Sequence, residues 1–158
     1  MKFTHNPIKN PKLRTARLAS INSARFGMTR NGGKRAHQGV DLASDVGYRV
    51  YAVENGKILS VNPNWGGLGQ VVFLEINNPL KPQLHKKIAT YAHLSRIDVK
   101  TGQEVEVGQQ LGLTGDSGNA KGMTTVANGG HLHFELRTKL IAGFGLQNRI
   151  DPEPFINY

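Results

Sequence analysis

With 158 residues, 38% of them apolar and none of them cysteine, the sequence has the length and core content of one domain. It excludes disulfide scaffolds, thiolate metal sites and cysteine nucleophiles, and no stretch approaches the roughly 20 apolar residues of a bilayer-spanning helix. The net charge of +9 is concentrated: residues 1–40 carry nine basic side chains and no acid, whereas from Asp41 onward 11 basic and 11 acidic residues balance.

In chain order, the basic block comes first. It suits a polyanionic surface such as nucleic acid, anionic lipid or an acidic cell-wall polymer, and equally a solvated arm without a specific partner. Its opening, MKFTHNPIKNPKLR, has no apolar run of the kind a signal peptide needs. The pattern predicts one short helix over 13–20 and then only strands. YRVYAV (48–53), GKILSV (56–61), QVVFLEI (70–76), KIATYAHL (87–94) and HLHFELR (131–137) are rich in β-branched and aromatic residues and bounded by Gly, Asn or Pro. Gly47, Val50, Gly56 and Ile58 are echoed by Gly102, Val105, Gly108 and Leu111, which predicts two glycine-turn hairpins packed as facing sheets. Residues 77–86 and 116–130 read as long loops, a length that is usually functional or mobile in a compact domain. The expected fold class is all-β.

The chemistry lies in the histidines. In HLHFELR the period of two puts His131, His133 and Glu135 on one face and Leu132, Phe134 and Leu136 on the other. His37 and Asp41 share a face if AHQGVDL is extended, and Gly39 between them permits a tight backbone path. Without thiolates, imidazoles and a carboxylate are what this chain can offer a divalent ion, and three such ligands leave one position open, the pattern of a catalytic zinc site. Taken singly, an HxxxD or an HxH is more often a hydrogen-bonded pair than a ligand pair. Their joint occurrence with His93, apolar-flanked in TYAHLS, points to metal; His5 and His85 sit among basic residues and read as surface histidines. No HExxH is present, so no helical glutamate base is available and histidine must move the proton. Glu135 either orients a ligand imidazole or is a satisfied acid at a sheet rim.

The motifs HQGVDLA (37–43), YAHLS (91–95), GQEVEVGQQLGLTGDSG (102–118) and HLHFELR (131–137), in this order, resemble the lysostaphin and LytM-like zinc metalloendopeptidases that cut peptidoglycan cross-links. The resemblance also takes in FGMTR (26–30) and DPEPF (151–155). It implies an antiparallel β-sandwich, a duplicated hybrid-motif barrel with long loops around a zinc groove. The expected organisation is a basic N-terminal arm over 1–24 and a zinc metallopeptidase domain over 25–158. Carried over position by position, the resemblance makes His37, Asp41 and His133 ligands of Zn2+ and makes His93 and His131 the catalytic histidines, without dividing the proton work between those two. The implied partner is peptidoglycan, through its stem peptides and cross-bridges. Some members of the family lack zinc ligands and regulate other wall hydrolases; here all five positions are filled. The chain departs from the family in NAKGMTTVANGG before His131 and in NNPLKPQLHKK before the TYAHLS strand, both expected to border the groove.

Two other classes are weighed. VEVGQQLG is similar to the turns of lipoyl and biotinyl carrier or binding modules, but the lysine tripeptide that such a module modifies is missing. Nucleic-acid binding would suit the basic block, yet only Phe3 and Phe26 are aromatic among residues 1–40, so stacking platforms are sparse. A wall substrate places the activity in the periplasm or cell wall. Without an export signal in the sequence, the expectation is an excised domain, a lysis enzyme, or an antibacterial effector delivered into a rival cell, the last implying a cognate immunity protein.

Overall fold

Short β-favouring runs separated by glycines, prolines and asparagines fold into eleven strands, and the computed structural model describes all 158 residues. The strands are β1 (Gly27–Arg30), β2 (Arg35–His37), β3 (Val40–Ala43), β4 (Arg49–Tyr51), β5 (Gly56–Asn62), β6 (Gln70–Ile76), β7 (Ile88–Ile97), β8 (Glu104–Val105), β9 (Gln110–Thr114), β10 (His131–Arg137) and β11 (Arg149–Ile150). Every pairing is antiparallel. β1 and β2 form a small ribbon; the other nine make one branched sheet ordered β11-β10-β7-β6-β5-β8, with β3 on β10, β9 on β7 and β4 on β9. The all-β antiparallel expectation holds, but the sheet is not closed into a barrel. No helix is long and apolar enough to cross a membrane.

β10 positions the site. Its first half pairs with β3 and its second half with β7, so His133 lies opposite Asp41 on one side and Ala92 on the other. The alternation read from HLHFELR is realised: Leu132, Phe134 and Leu136 are fully buried in the main core, and Phe134 meets Tyr91 and Phe3 edge to face at 5.1 and 5.7 Å. Burying each such side chain contributes roughly 1.5–3 kcal/mol, so the apolar face fixes which face the histidines occupy. Gly39 has a local reason to be glycine, because a Cβ there would collide with the carbonyl oxygen of Phe134 on β10.

Two expectations are corrected. The repeat does not close two separate hairpins; β4 pairs with β9 and β5 with β8, so each repeat lends a strand to the other. Between Tyr51 and Gly56 no residue has the positive φ that a tight two-residue hairpin turn needs, and the chain crosses over instead of reversing. The helix over 13–20 is also not formed. Lys12 O accepts from Ala43 N at 2.7 Å and Arg14 N donates to Asp41 O at 3.0 Å, so this stretch runs beside β3, and Arg17 at φ 60° breaks any helical run. A four-residue 3₁₀ turn, Ile21–Ala24, follows. Phe3 and Ile8 of the expected arm are part of the main core, and Arg14 is buried.

Candidate metal centre

The cross-strand register brings His133 and Asp41 together, and the turn through Gly39 returns His37 to them. His37 Nε2 and His133 Nδ1 each lie 3.0 Å from Asp41 Oδ1, and the candidate ligand atoms of the three residues all fall within 4.8 Å of one another. All three side chains are buried. His37 Nδ1 faces the carbonyl of Arg25 at 2.9 Å; a carbonyl only accepts, so Nδ1 carries the proton and Nε2 turns a lone pair toward the carboxylate. Two lone pairs facing at 3.0 Å attract only with a proton or a cation between them. The donor set of two imidazoles and one carboxylate without sulfur fits a zinc ion at that point.

His133 is held from both ends. Nδ1 faces Asp41, and Nε2 donates to Glu135 Oε2 at 3.0 Å, the outer contact that orients a ligand imidazole. Glu135 is in turn gripped by Arg137 Nε and Arg149 Nε, both at 2.9 Å from Oε1. Burial disfavours a charged His133, but the hydrogen bonds and charges of Asp41 and Glu135 outweigh it and lift its pKa to about 9. Burial likewise opposes ionisation of Glu135, and His133 with Arg137 overrides it, holding the carboxyl at about 2. Asp41 lies well below the usual carboxylate range: burial raises it, and His131, His133 and His37 together lower it further than burial lifts it.

The other two histidines lie beside this set. His131 Nδ1 donates to the carbonyl of Gly129 at 2.7 Å and His93 Nδ1 to that of Ser117 at 2.8 Å, which leaves both Nε2 atoms as acceptors. His131 Nε2 is 3.7 Å from Asp41 Oδ1. The ring of His93 sits 5.1 Å from that of His131 and 5.8 Å from that of His133. Burial, above all, pushes the His93 imidazole down to about 3, helped by His133 and His131, and burial lowers His131 too. His93 occupies an unusual backbone: between Leu94 opposite Gln70 and Tyr91 opposite Val72, β7 has two residues where β6 has one, and His93 sits in this bulge at φ 58°. Left-handed backbone at a non-glycine residue costs of order 1–3 kcal/mol, and the bulge re-aims the imidazole out of the strand's alternation.

Thus His37, Asp41, His93, His131 and His133 come together, whereas His5 stacks on Tyr51 and His85 accepts from Asn78 N, both outside the cluster. Arg14, which reads as part of the basic arm, and Arg30, the last residue of FGMTR and close in sequence to His37, both reach the centre. Their guanidinium groups reach the second oxygen of Asp41, Oδ2, at 3.0 and 2.8 Å, fixing the carboxylate so that Oδ1 faces the histidines. The signal was available: nine basic residues precede the first acid of the chain, and that acid is Asp41.

Residues 35–152 match the model of peptidase family M23. The chain belongs to this family. The M23 domain is 33% identical over 127 residues to the glycyl-glycine endopeptidase ALE-1 of Staphylococcus capitis, covering 80% of this chain and 30% of that protein. It is 34% identical over 100 residues to the peptidoglycan DD-endopeptidase ShyA of Vibrio cholerae, covering 63% of this chain and 20% of that one. It therefore spans less than a third of the length of these curated relatives. Among solved structures, the catalytic domain of lysostaphin from Staphylococcus simulans superimposes with a TM-score of 0.61 at 31% identity, over 84% of this chain and 86% of that domain.

Proposed function

We propose that this M23 domain is a zinc-dependent endopeptidase that hydrolyses peptide cross-links of bacterial peptidoglycan, in the periplasm or cell wall. In this reading His37, Asp41 and His133 hold the ion, and His93 and His131 are the catalytic histidines. The observation that carries it is the convergence of two differently prepared groups: a buried His–Asp–His set whose candidate ligand atoms fall within 4.8 Å of one another, and two buried histidines beside it whose Nε2 atoms are left as acceptors. The relatives named as glycyl-glycine and peptidoglycan DD-endopeptidases support the substrate class.

Zinc, when bound, supplies Lewis acidity toward the scissile carbonyl and the attacking water. The protein residues do the rest. Neutral His93 and His131 present Nε2 lone pairs that accept a proton from the water as its oxygen bonds to the carbonyl carbon; the same nitrogen returns the proton to the leaving amine as the C–N bond breaks. An imidazole that has taken the proton also faces the oxygen on which negative charge develops. Arg14, Arg30 and Glu135 act at one remove, holding the side chains of Asp41 and His133. The test is incubation of purified muropeptides with zinc-loaded protein and mass analysis of the products. Cleavage at a peptide cross-link is expected; intact muropeptides would overturn the reading.

A further inference from the structure

The metal centre opens into a groove of about 1050 Å³ whose lining is chemically one-sided. Six arginines reach it and no lysine; Asp41 is the only acid. Four of those arginines are already committed. Arg14 and Arg30 bind Asp41, and Arg137 and Arg149 bind Glu135. Arg17 and Arg35 are different. Both are exposed and line the groove, yet neither has an acidic partner: Arg17 Nη2 makes one long contact to Asn128 Oδ1 at 3.4 Å, and Arg35 makes no side-chain hydrogen bond or ion pair. The wall also carries neutral amide groups, from Asn31, Gln38, Asn62, Asn64 and Asn119, which can donate but bring no negative charge.

Such a wall disfavours cationic ligands, and neutral ones offer its two acid-free guanidinium groups carbonyl acceptors but no compensating charge. We infer that the groove selects substrate peptides bearing free carboxylates, with Arg17 and Arg35 as the groups that bind them. The planar fork of a guanidinium matches a carboxylate in bidentate geometry, and such charge-assisted bonds are about twice as strong as neutral ones. The inference rests on the peptidase reading and narrows it from cross-links in general to acidic peptides.

Arg17 comes from outside the family-matched residues. It stands on the N-terminal segment, whose path is fixed by Arg14: buried at Asp41, Arg14 also donates from Nε to Ala16 O at 3.0 Å and from Nη2 to Arg17 O at 3.4 Å. Its other contact, Asn128, belongs to the stretch NAKGMTTVANGG that departs from the family pattern. The N-terminal segment and the loop before β10 therefore meet at one cation of the groove that has no acidic partner. That arrangement is what a specificity determinant needs, because it can vary without disturbing the metal ligands.

The test uses a synthetic cross-linked peptide with its carboxylates free and the same peptide fully amidated. Trp65 is the only tryptophan of the chain and lines the groove, so its fluorescence reports occupancy without any turnover. The parent is expected to bind the free acid about ten-fold more tightly at low salt, a preference that shrinks as salt is added. Arg17→Gln and Arg35→Gln should each remove several-fold of it and the double variant nearly all, with unchanged melting temperatures because both side chains are exposed. Equal binding of the two peptides by the parent, or a preference that survives in the double variant, would overturn the inference. Cleavage is read on the same samples: preferential binding without cleavage by zinc-loaded protein would sink the peptidase reading and leave carboxylate selection standing, while cleavage of both forms at equal efficiency would do the reverse.

Discussion

His133 and His93 have ring centroids 5.8 Å apart, yet the fold prepares them for opposite tasks. His133 stands between two carboxylates, its second nitrogen on Glu135, and burial only partly offsets the charge it gains. His93 is equally enclosed but meets a backbone carbonyl through Nδ1, so burial decides and the ring stays neutral. The difference lies in the neighbours: an imidazole flanked by carboxylates is built to sit beside a cation, and one anchored only by a carbonyl is built to accept and return a proton.

The sharpest way to break this comparison is to remove a ligand. His37→Ala or Asp41→Ala should abolish stoichiometric zinc, checked by metal analysis after dialysis, and take muropeptide turnover to background, because two remaining ligands hold the ion poorly. On the other side, His131→Ala should keep its metal and lose about 10²- to 10⁴-fold in turnover, the range for a positioned acid or base. Glu135→Gln probes the support and not the ligand itself; zinc affinity measured by competition with a chelator should weaken by about 10- to 100-fold.

Smaller effects sharpen the electrostatic side. In the metal-free protein His133 titrates near 9, above the roughly 6.5 of an unfolded histidine. A raised folded pKa gives stability that is present below the unfolded value and lost as pH rises through the folded one, so metal-free stability should decline between about pH 6.5 and 9. His93, depressed to about 3, is neutral in the folded state throughout that window and in the unfolded state above about pH 7.5, so its opposing slope is confined to the lower end. Denaturant midpoints measured at about pH 7.5 and 9 in the presence of chelator check this, since the depressed histidines add no slope there; a flat profile would contradict the charged His133. The smallest effect concerns the exposed N-terminal cations. Lys9→Gln with Lys12→Gln should weaken binding to anionic sacculi modestly and only at low salt, leaving turnover of a small soluble peptide unchanged.

Much of this site was legible in the sequence because strand periodicity is rigid. Once Leu132, Phe134 and Leu136 are assigned to the core, His131, His133 and Glu135 have one face left, and the pleat delivers them there. What periodicity could not carry was a break in the ladder. The placement of His93 depends on a bulge and a left-handed backbone that nothing in TYAHLS announces. The exchanged strands of the repeat escaped for a related reason: glycine spacing marks where turns are possible, not which strand the chain meets after them. Arg14 was hidden by its company, one cation among nine in a block that reads as solvated arm until Asp41 Oδ2 is seen to need a partner.

Zinc content and turnover measured together on His93→Ala and His133→Ala test the central claim most directly, since the two rings are neighbours and the account gives them different tasks. The prediction is about one zinc per chain with turnover reduced at least 10²-fold in His93→Ala, and neither bound zinc nor turnover in His133→Ala. Stoichiometric zinc in His133→Ala, or near-parental turnover in His93→Ala, would contradict the division of roles.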